Sequence, residues 1–273
     1  MKAAAFEYLK PNDVPEAVKA LAGSAGEAKP LGGGQSLGPM LNLRLARPKL
    51  LVDVSRLDAM RAIEDKGTFW RIGGAVTHSA IEDASMPGCT VMSAVARNIA
   101  YRAIRNRGTI GGSLAHADPA ADWPLALPAL AANIVISGPA GERSVPAGEF
   151  TKGAFATVLA EDELVVAVEV PKLSASARWG YWKFCRKTGE FPESSAAMLM
   201  DPDRRLARLW VGALDGAPQS LDGLAAEIAM RGALAASEVA VSAALDLAVP
   251  GQDPVSRRLH VTAVRRAVQK GFI

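Results

Sequence analysis

The chain has 273 residues, 49% hydrophobic and 22% charged, which is enough apolar material for a sizeable core and too much for a disordered chain. A net charge of +3, with no Lys/Arg stripe interleaved with aromatics, argues against a nucleic-acid-binding protein. Two cysteines, Cys89 and Cys185, and three separated histidines, His78, His116 and His260, argue against a disulfide framework and against a protein-ligated iron–sulfur or zinc site.

Acidic residues and prolines follow the first apolar residues almost at once, so no signal peptide is expected. No apolar run reaches membrane-span length, and a cytoplasmic protein is the expectation. Residues 6–11 (FEYLKP) read as a short strand. Residues 12–23 (NDVPEAVKALAG) read as a helix with Asn12 or Asp13 as its cap, Pro15 in its first turn and Gly23 as its stop. Residues 28–36 (AKPLGGGQS) read as a strand and a glycine loop, residues 40–46 as a short helical or irregular piece, and residues 48–55 (PKLLVDVS) as a buried strand. The strand–glycine–helix theme returns in residues 70–83 (WRIGGAVTHSAIED). Residues 90–108 are expected as one long helix, ended by a second glycine loop, TIGGS. Residues 122–150 read as a helix, a strand, a Gly-Pro-Ala-Gly turn and a strand, and residues 163–171 as a further strand closed by Pro171. Beyond it the texture fits antiparallel strands with a flanking helical layer, ending in a helix over residues 256–269.

The first loop fails two common phosphate patterns. Gly32 and Gly34 fit a dinucleotide fingerprint, but Leu37 stands where the third glycine belongs. Gly33 and Gly38 have Walker spacing, but Pro39-Met40 replaces the Lys-Ser/Thr pair. Consecutive glycines still expose backbone N–H groups that can form an anion nest, and Ser36 adds a hydroxyl. Thr109, Gly111, Gly112 and Ser113 offer a second such provision. Two donor-rich loops suit a ligand with two phosphates; two tight turns between helix and sheet explain the glycines equally well.

Together, GGGQSLGPMLNLRLARPKLLVDVSRL (residues 32–57) and IRNRGTIGGSLAHADPAADWP (residues 104–124) resemble the FAD-binding medium subunit of the molybdenum hydroxylases, the family of xanthine dehydrogenase and carbon monoxide dehydrogenase. The resemblance runs over nearly the whole chain and includes DELVVAVEVP, YWKFCRKTGEFPESSAAM and SRRLHVTAVRRAVQ. It implies an α+β fold: a two-subdomain FAD-binding fold of the PCMH (vanillyl-alcohol-oxidase-like) type plus a C-terminal α+β domain with a small antiparallel sheet and helices. The expected divisions are 1–55, 56–170 and 171–273.

By the same resemblance Gly32, Gly33, Gly34, Gln35 and Ser36 give donors to the FAD pyrophosphate, and Thr109, Gly111, Gly112 and Ser113 close the site from the second subdomain. Asp122 is implied at the ribose or ribityl hydroxyls. Asp118 is divided between ligand and an Asp-Pro turn. Leu164 and Lys183 match positions near the isoalloxazine, where a backbone N–H at the first and an ammonium at the second would stabilise negative charge on reduced flavin; a solvated strand lysine is the alternative reading of Lys183. Phe191 matches an aromatic that covers a flavin face, or is an ordinary core aromatic. His116 is a ligand contact, a surface residue or a covalent flavin attachment point, the last disfavoured because the resemblance implies noncovalent FAD. Arg44 and Arg47 shape the first loop or face a partner. The implied function is electron transfer, with no catalytic acid–base residue in this chain. Partners would be a small [2Fe-2S] subunit and a large molybdenum-cofactor subunit, in a dimer of heterotrimers. A free-standing PCMH-type flavoprotein oxidase or reductase is the alternative, and a nucleotide-binding sensor a third.

Overall fold

The computed structural model describes residues 2–273 and builds three main sheets in chain order. The first is parallel. β1 (Glu7–Leu9) leads through α1 (Val14–Ala22) to β2 (Ala28–Leu31), then through α2 (Leu37–Asn42) to β3 (Leu50–Asp53), which lies between the other two strands. Asp13 caps α1 by accepting from Glu16 N at 2.8 Å, while Ala17, Val18 and Leu21 turn inwards. The first glycine loop therefore leaves the carboxyl end of a parallel strand, the end at which open α/β sheets receive ligands.

The second sheet is antiparallel. It starts with β4 (Ile63–Asp65) and β5 (Phe69–Gly73), after which come α3 (His78–Asp83), α4 (Val91–Arg97), α5 (Arg102–Arg105), α6 (Ile110–His116) and α7 (Asp122–Ala129). β6 (Asn133–Gly138) and β7 (Gly141–Pro146) form a hairpin; α8 (Ala147–Phe150) and the small β8 (Thr151–Gly153) and β9 (Ala156–Thr157) pair follow, and β10 (Leu164–Pro171) enters the centre to give the order β4-β5-β10-β6-β7. Ile72, Ile134 and Val168 face the helices, among Trp123, Ile110 and Phe150. Leu164, Val166 and Ala167 pack instead with Leu21 and Val52 of the first unit. The pairing of β10 with β6 slips between Val165 and Ala167, a bulge that lets the adjacent Val166 and Ala167 enter the same core.

Two expectations over residues 90–116 need correction. The single long helix is two helices, α4 and α5, separated at Ala100, whose φ of 41° is left-handed. The break is stabilised by a buried side chain. Arg105 Nη1 donates to the carbonyls of Ile99 (2.9 Å) and Ala100 (3.1 Å), while its Nε pairs with Glu82 at 2.8 Å. The second glycine stretch is not a loop. Thr109 is the N-cap of α6, and Gly111, Gly112 and Ser113 lie inside that helix.

The third sheet, β11 (Arg178–Phe184), β12 (Ser194–Asp201), β13 (Leu206–Gly212) and β14 (Gln219–Ser220), is antiparallel and consecutive. α9 (Asp222–Arg231), α10 (Glu238–Ala248) and α11 (Pro254–Gly271) cover one face, around Ala196, Met198, Leu209 and Val211. The other face presents Trp179, Tyr181 and Trp210 to Leu125 and Ala129 of α7. No helix among the described residues is long and apolar enough to cross a membrane, and no group of histidine, cysteine and carboxylate side chains among them is arranged to hold a metal.

Candidate functional site

The two glycine segments meet. Gly33 is buried against the main chain of residues 107–108: a Cβ added there would stand 1.9 Å from Arg107 O and 2.8 Å from Gly108 Cα. One added to Gly32 would stand 2.9 Å from Thr109 Oγ1. Arg107 Nε reaches Gly33 O at 3.4 Å. Only glycine permits this approach of one backbone to another.

Their donors are used differently. The backbone N–H groups of Gly32, Gly33, Gly34, Gln35 and Ser36 have no acceptor among the described residues. The last contact of β2 with its neighbour runs the other way, from Val54 N to Leu31 O at 3.0 Å. Gln35 turns its Nε2 back on Gly33 O at 3.3 Å, and Ser36 is exposed, its carbonyl accepting from Met40 N at 3.2 Å while its hydroxyl makes no capping bond to the helix it precedes. In the second segment Ile110 N donates to Val76 O (3.1 Å), Gly111 N to Gly74 O (2.9 Å), Gly112 N to Thr109 Oγ1 (3.1 Å) and Ser113 N to Thr109 O (3.0 Å). The expected second provision of free amides is therefore absent. What Gly111 supplies is clearance, since a Cβ there would fall 2.6 Å from Gly74 O.

A third segment seats the second. Gly74 N donates to the carbonyl of bulged Val166 at 2.7 Å, while Gly74 O accepts from Gly111. Thr77 bridges Thr109, and His78 N donates to Gly108 O at 2.8 Å. The GG of residues 73–74 was visible as a repeat of the glycine theme. Its role rests on contacts with Val166 and Gly111, distant residues that no local pattern points to.

Asp122 and Lys183 form a second cluster. Asp122 opens α7, and Lys183 projects from β11 towards it. Lys183 Nζ donates to Asp122 Oδ1 (2.8 Å), Asp122 Oδ2 (3.0 Å) and Asn98 O (2.9 Å), so the plain reading of a solvated lysine does not hold. Tyr181 OH donates to Asp122 Oδ1 at 2.5 Å; burial first, then the Asp122 charge, raises the Tyr181 pKa well above its ordinary value. Tyr181 had no motif to announce it. The cluster bonds α7 to the third sheet and to the break between α4 and α5. It is linked to the glycine segments through Trp123, whose Nε1 donates to His78 Nδ1 at 3.1 Å.

The remaining candidates lie outside these clusters. Asp118 accepts from Ala120 N at 2.9 Å, an Asx turn. Leu164 begins β10 with its side chain in the core shared with the first sheet. Phe191 is 66% exposed, on a segment whose Gly189 rests on the Tyr101 ring. His116 packs on Phe155, ring centroids 5.1 Å apart. Both cysteines are free, and burial pushes the Cys89 thiol up to about 12.

Comparison with known proteins adds a family to this geometry. Residues 4–173 match the family described as FAD binding domain in molybdopterin dehydrogenase. The chain is 39% identical over 200 residues to the carbon monoxide dehydrogenase medium chain of Hydrogenophaga pseudoflava, covering 71% of this chain and 69% of that one. It is 35% identical over 272 residues to the 6-hydroxypseudooxynicotine dehydrogenase complex subunit alpha of Paenarthrobacter nicotinovorans, covering 98% and 91%. A solved chain of the Hydrogenophaga pseudoflava carbon monoxide dehydrogenase superposes with a TM-score of 0.87 at 31% identity, over 100% of this chain and 99% of that one.

Proposed function

Because the chain belongs to the FAD-binding family of the molybdopterin dehydrogenases, we propose that it is the electron-transfer subunit of a cytoplasmic molybdenum hydroxylase. It takes electrons from a small [2Fe-2S] subunit, fed by a large molybdenum-cofactor subunit, and passes them to an external acceptor. The assembly is a dimer of such heterotrimers. Residues 1–55 and 56–170 act as the two FAD-binding subdomains and 171–273 as the C-terminal domain.

The observation that carries this reading is the run of unengaged amides over Gly32, Gly33, Gly34, Gln35 and Ser36, pressed against residues 107–109. Backbone donors left without acceptors are costly unless a ligand or water takes them, and a concave run of them fits a pyrophosphate. The Thr109 and Ser113 hydroxyls add side-chain donors to it. Gly111 and Gly112 keep the second segment slim enough to approach. Asp122 and Lys183 act as a fixed pair rather than as two independent contacts, with the Leu164 backbone N–H facing the isoalloxazine and Phe191 covering one of its faces. Bound FAD supplies the redox chemistry between one-electron carriers and the acceptor; the chain binds, orients and sets the charge around it.

The free-standing oxidase or reductase needs its own substrate pocket. A cavity of about 400 Å³, lined by Arg178, Met200, Leu206, Ile228 and Phe272, lies on the helix-covered face of the third sheet. Lys183 and Tyr181 occupy the opposite face, so this cavity does not serve the proposed flavin site. Purification of the complex from its native host tests the reading. Two further subunits with molybdenum, iron and FAD are expected; substrate turnover by this chain alone would overturn it.

A further inference from the structure

We infer that His78 is a positioning residue for FAD: its ring, held by the Trp123 indole, seats Gly108 and Thr109 against the first glycine loop. The inference rests on the FAD reading above. Three contacts carry it. His78 N donates to Gly108 O at 2.8 Å. The ring lies against Gly108 so closely that an added Cβ would come within 2.9 Å of both Cδ2 and Nε2. Trp123 Nε1 donates to Nδ1 at 3.1 Å. An indole N–H is a donor only, so Nδ1 must accept and the single ring proton sits on Nε2. Gly108 adjoins the carbonyl on which Gly33 rests, so movement of the ring would open the contact between the two glycine segments.

The arrangement works only while the ring is neutral. Burial, and secondarily the Arg105 guanidinium, push the His78 pKa from its ordinary 6.5 down to about 4. The charged groups around it are Arg105 on α5, Glu82 on α3, which pairs with Arg97, Arg102 and Arg105, and Asp122 on α7, which is engaged by Lys183 and Tyr181. A second ring proton would set a donor against the Trp123 donor. Because the folded-state pKa is lowered, the seating is complete above about pH 6.5 and is lost as pH falls towards about 4.

The test compares the full chain with His78→Leu, His78→Asn and Trp123→Phe, by flavin-fluorescence titration of FAD affinity across acid and neutral pH, with circular dichroism following the fold. His78→Leu and Trp123→Phe should each weaken FAD binding about tenfold at neutral pH. His78→Asn places an amide oxygen where Nδ1 accepts; it should hold affinity within about threefold and flatten the acid decline, since it does not titrate. Unchanged affinity in the leucine variant overturns the inference. So does an unchanged acid limb in the asparagine variant, which decides the matter if the leucine variant misfolds. Failure of the unmodified chain to bind FAD at any pH would overturn the FAD reading together with it, whereas normal binding with unresponsive variants removes His78 alone.

Discussion

Gly33 and Gly111 are both buried glycines lying against a carbonyl oxygen of another segment, Arg107 O and Gly74 O respectively. Around Gly33 the consecutive amides of residues 32–36 have no acceptor among the described residues; around Gly111 the amides of residues 110–113 all have one. Similar composition thus serves two purposes. The first segment presents donors, and the second forms a helix start that packs closely beneath it. Glycine content marks close approach in both, and only the fate of the N–H groups separates a ligand loop from a packing motif.

Glycine substitutions test this difference, in order of expected effect. Gly33→Ala puts a methyl 1.9 Å from the main chain of Arg107, which no side-chain rotation relieves. It should weaken FAD binding at least about a hundredfold, corresponding to about 2.7 kcal/mol, by flavin-fluorescence titration; full retention would break the contrast. Gly111→Ala meets Gly74 O at 2.6 Å and should cost about 2 kcal/mol of stability in denaturant unfolding, with FAD binding lowered only as the fold is. Gly112→Ala meets only the Thr109 hydroxyl, at 2.8 Å, and should cost about 1 kcal/mol at most, through the cap. A larger FAD effect at Gly112 than at Gly33 would reverse the roles. Gly38→Ala, in α2 with open space around it, should gain about 0.5 kcal/mol and leave FAD affinity unchanged.

Much of the fold was legible in local patterns. Asp13, Pro15 and the apolar stripe announce α1, and the strand that follows the first glycine loop, β3, is a short apolar run after Pro48. The paired motifs indicated the family, which the match over residues 4–173 shows. Features made by distant residues were not legible. The break at Ala100 depends on Arg105 filling its open carbonyls and on Glu82 balancing Arg105. The engagement of the Gly111 amide depends on the Gly74 carbonyl, and Gly74 is in turn held by the carbonyl of Val166. Trp123 and His78, and Asp122 and Lys183, pair across long separations that no spacing rule reaches.

Residue-resolved amide hydrogen exchange, with and without FAD, tests the central claim most directly. Gly32, Gly33, Gly34, Gln35 and Ser36 should exchange rapidly in the free chain and become protected when FAD is added. Ile110, Gly111, Gly112 and Ser113 should be protected from the start and change little. Protection of residues 32–36 without FAD, or new protection confined to residues 110–113, would contradict it.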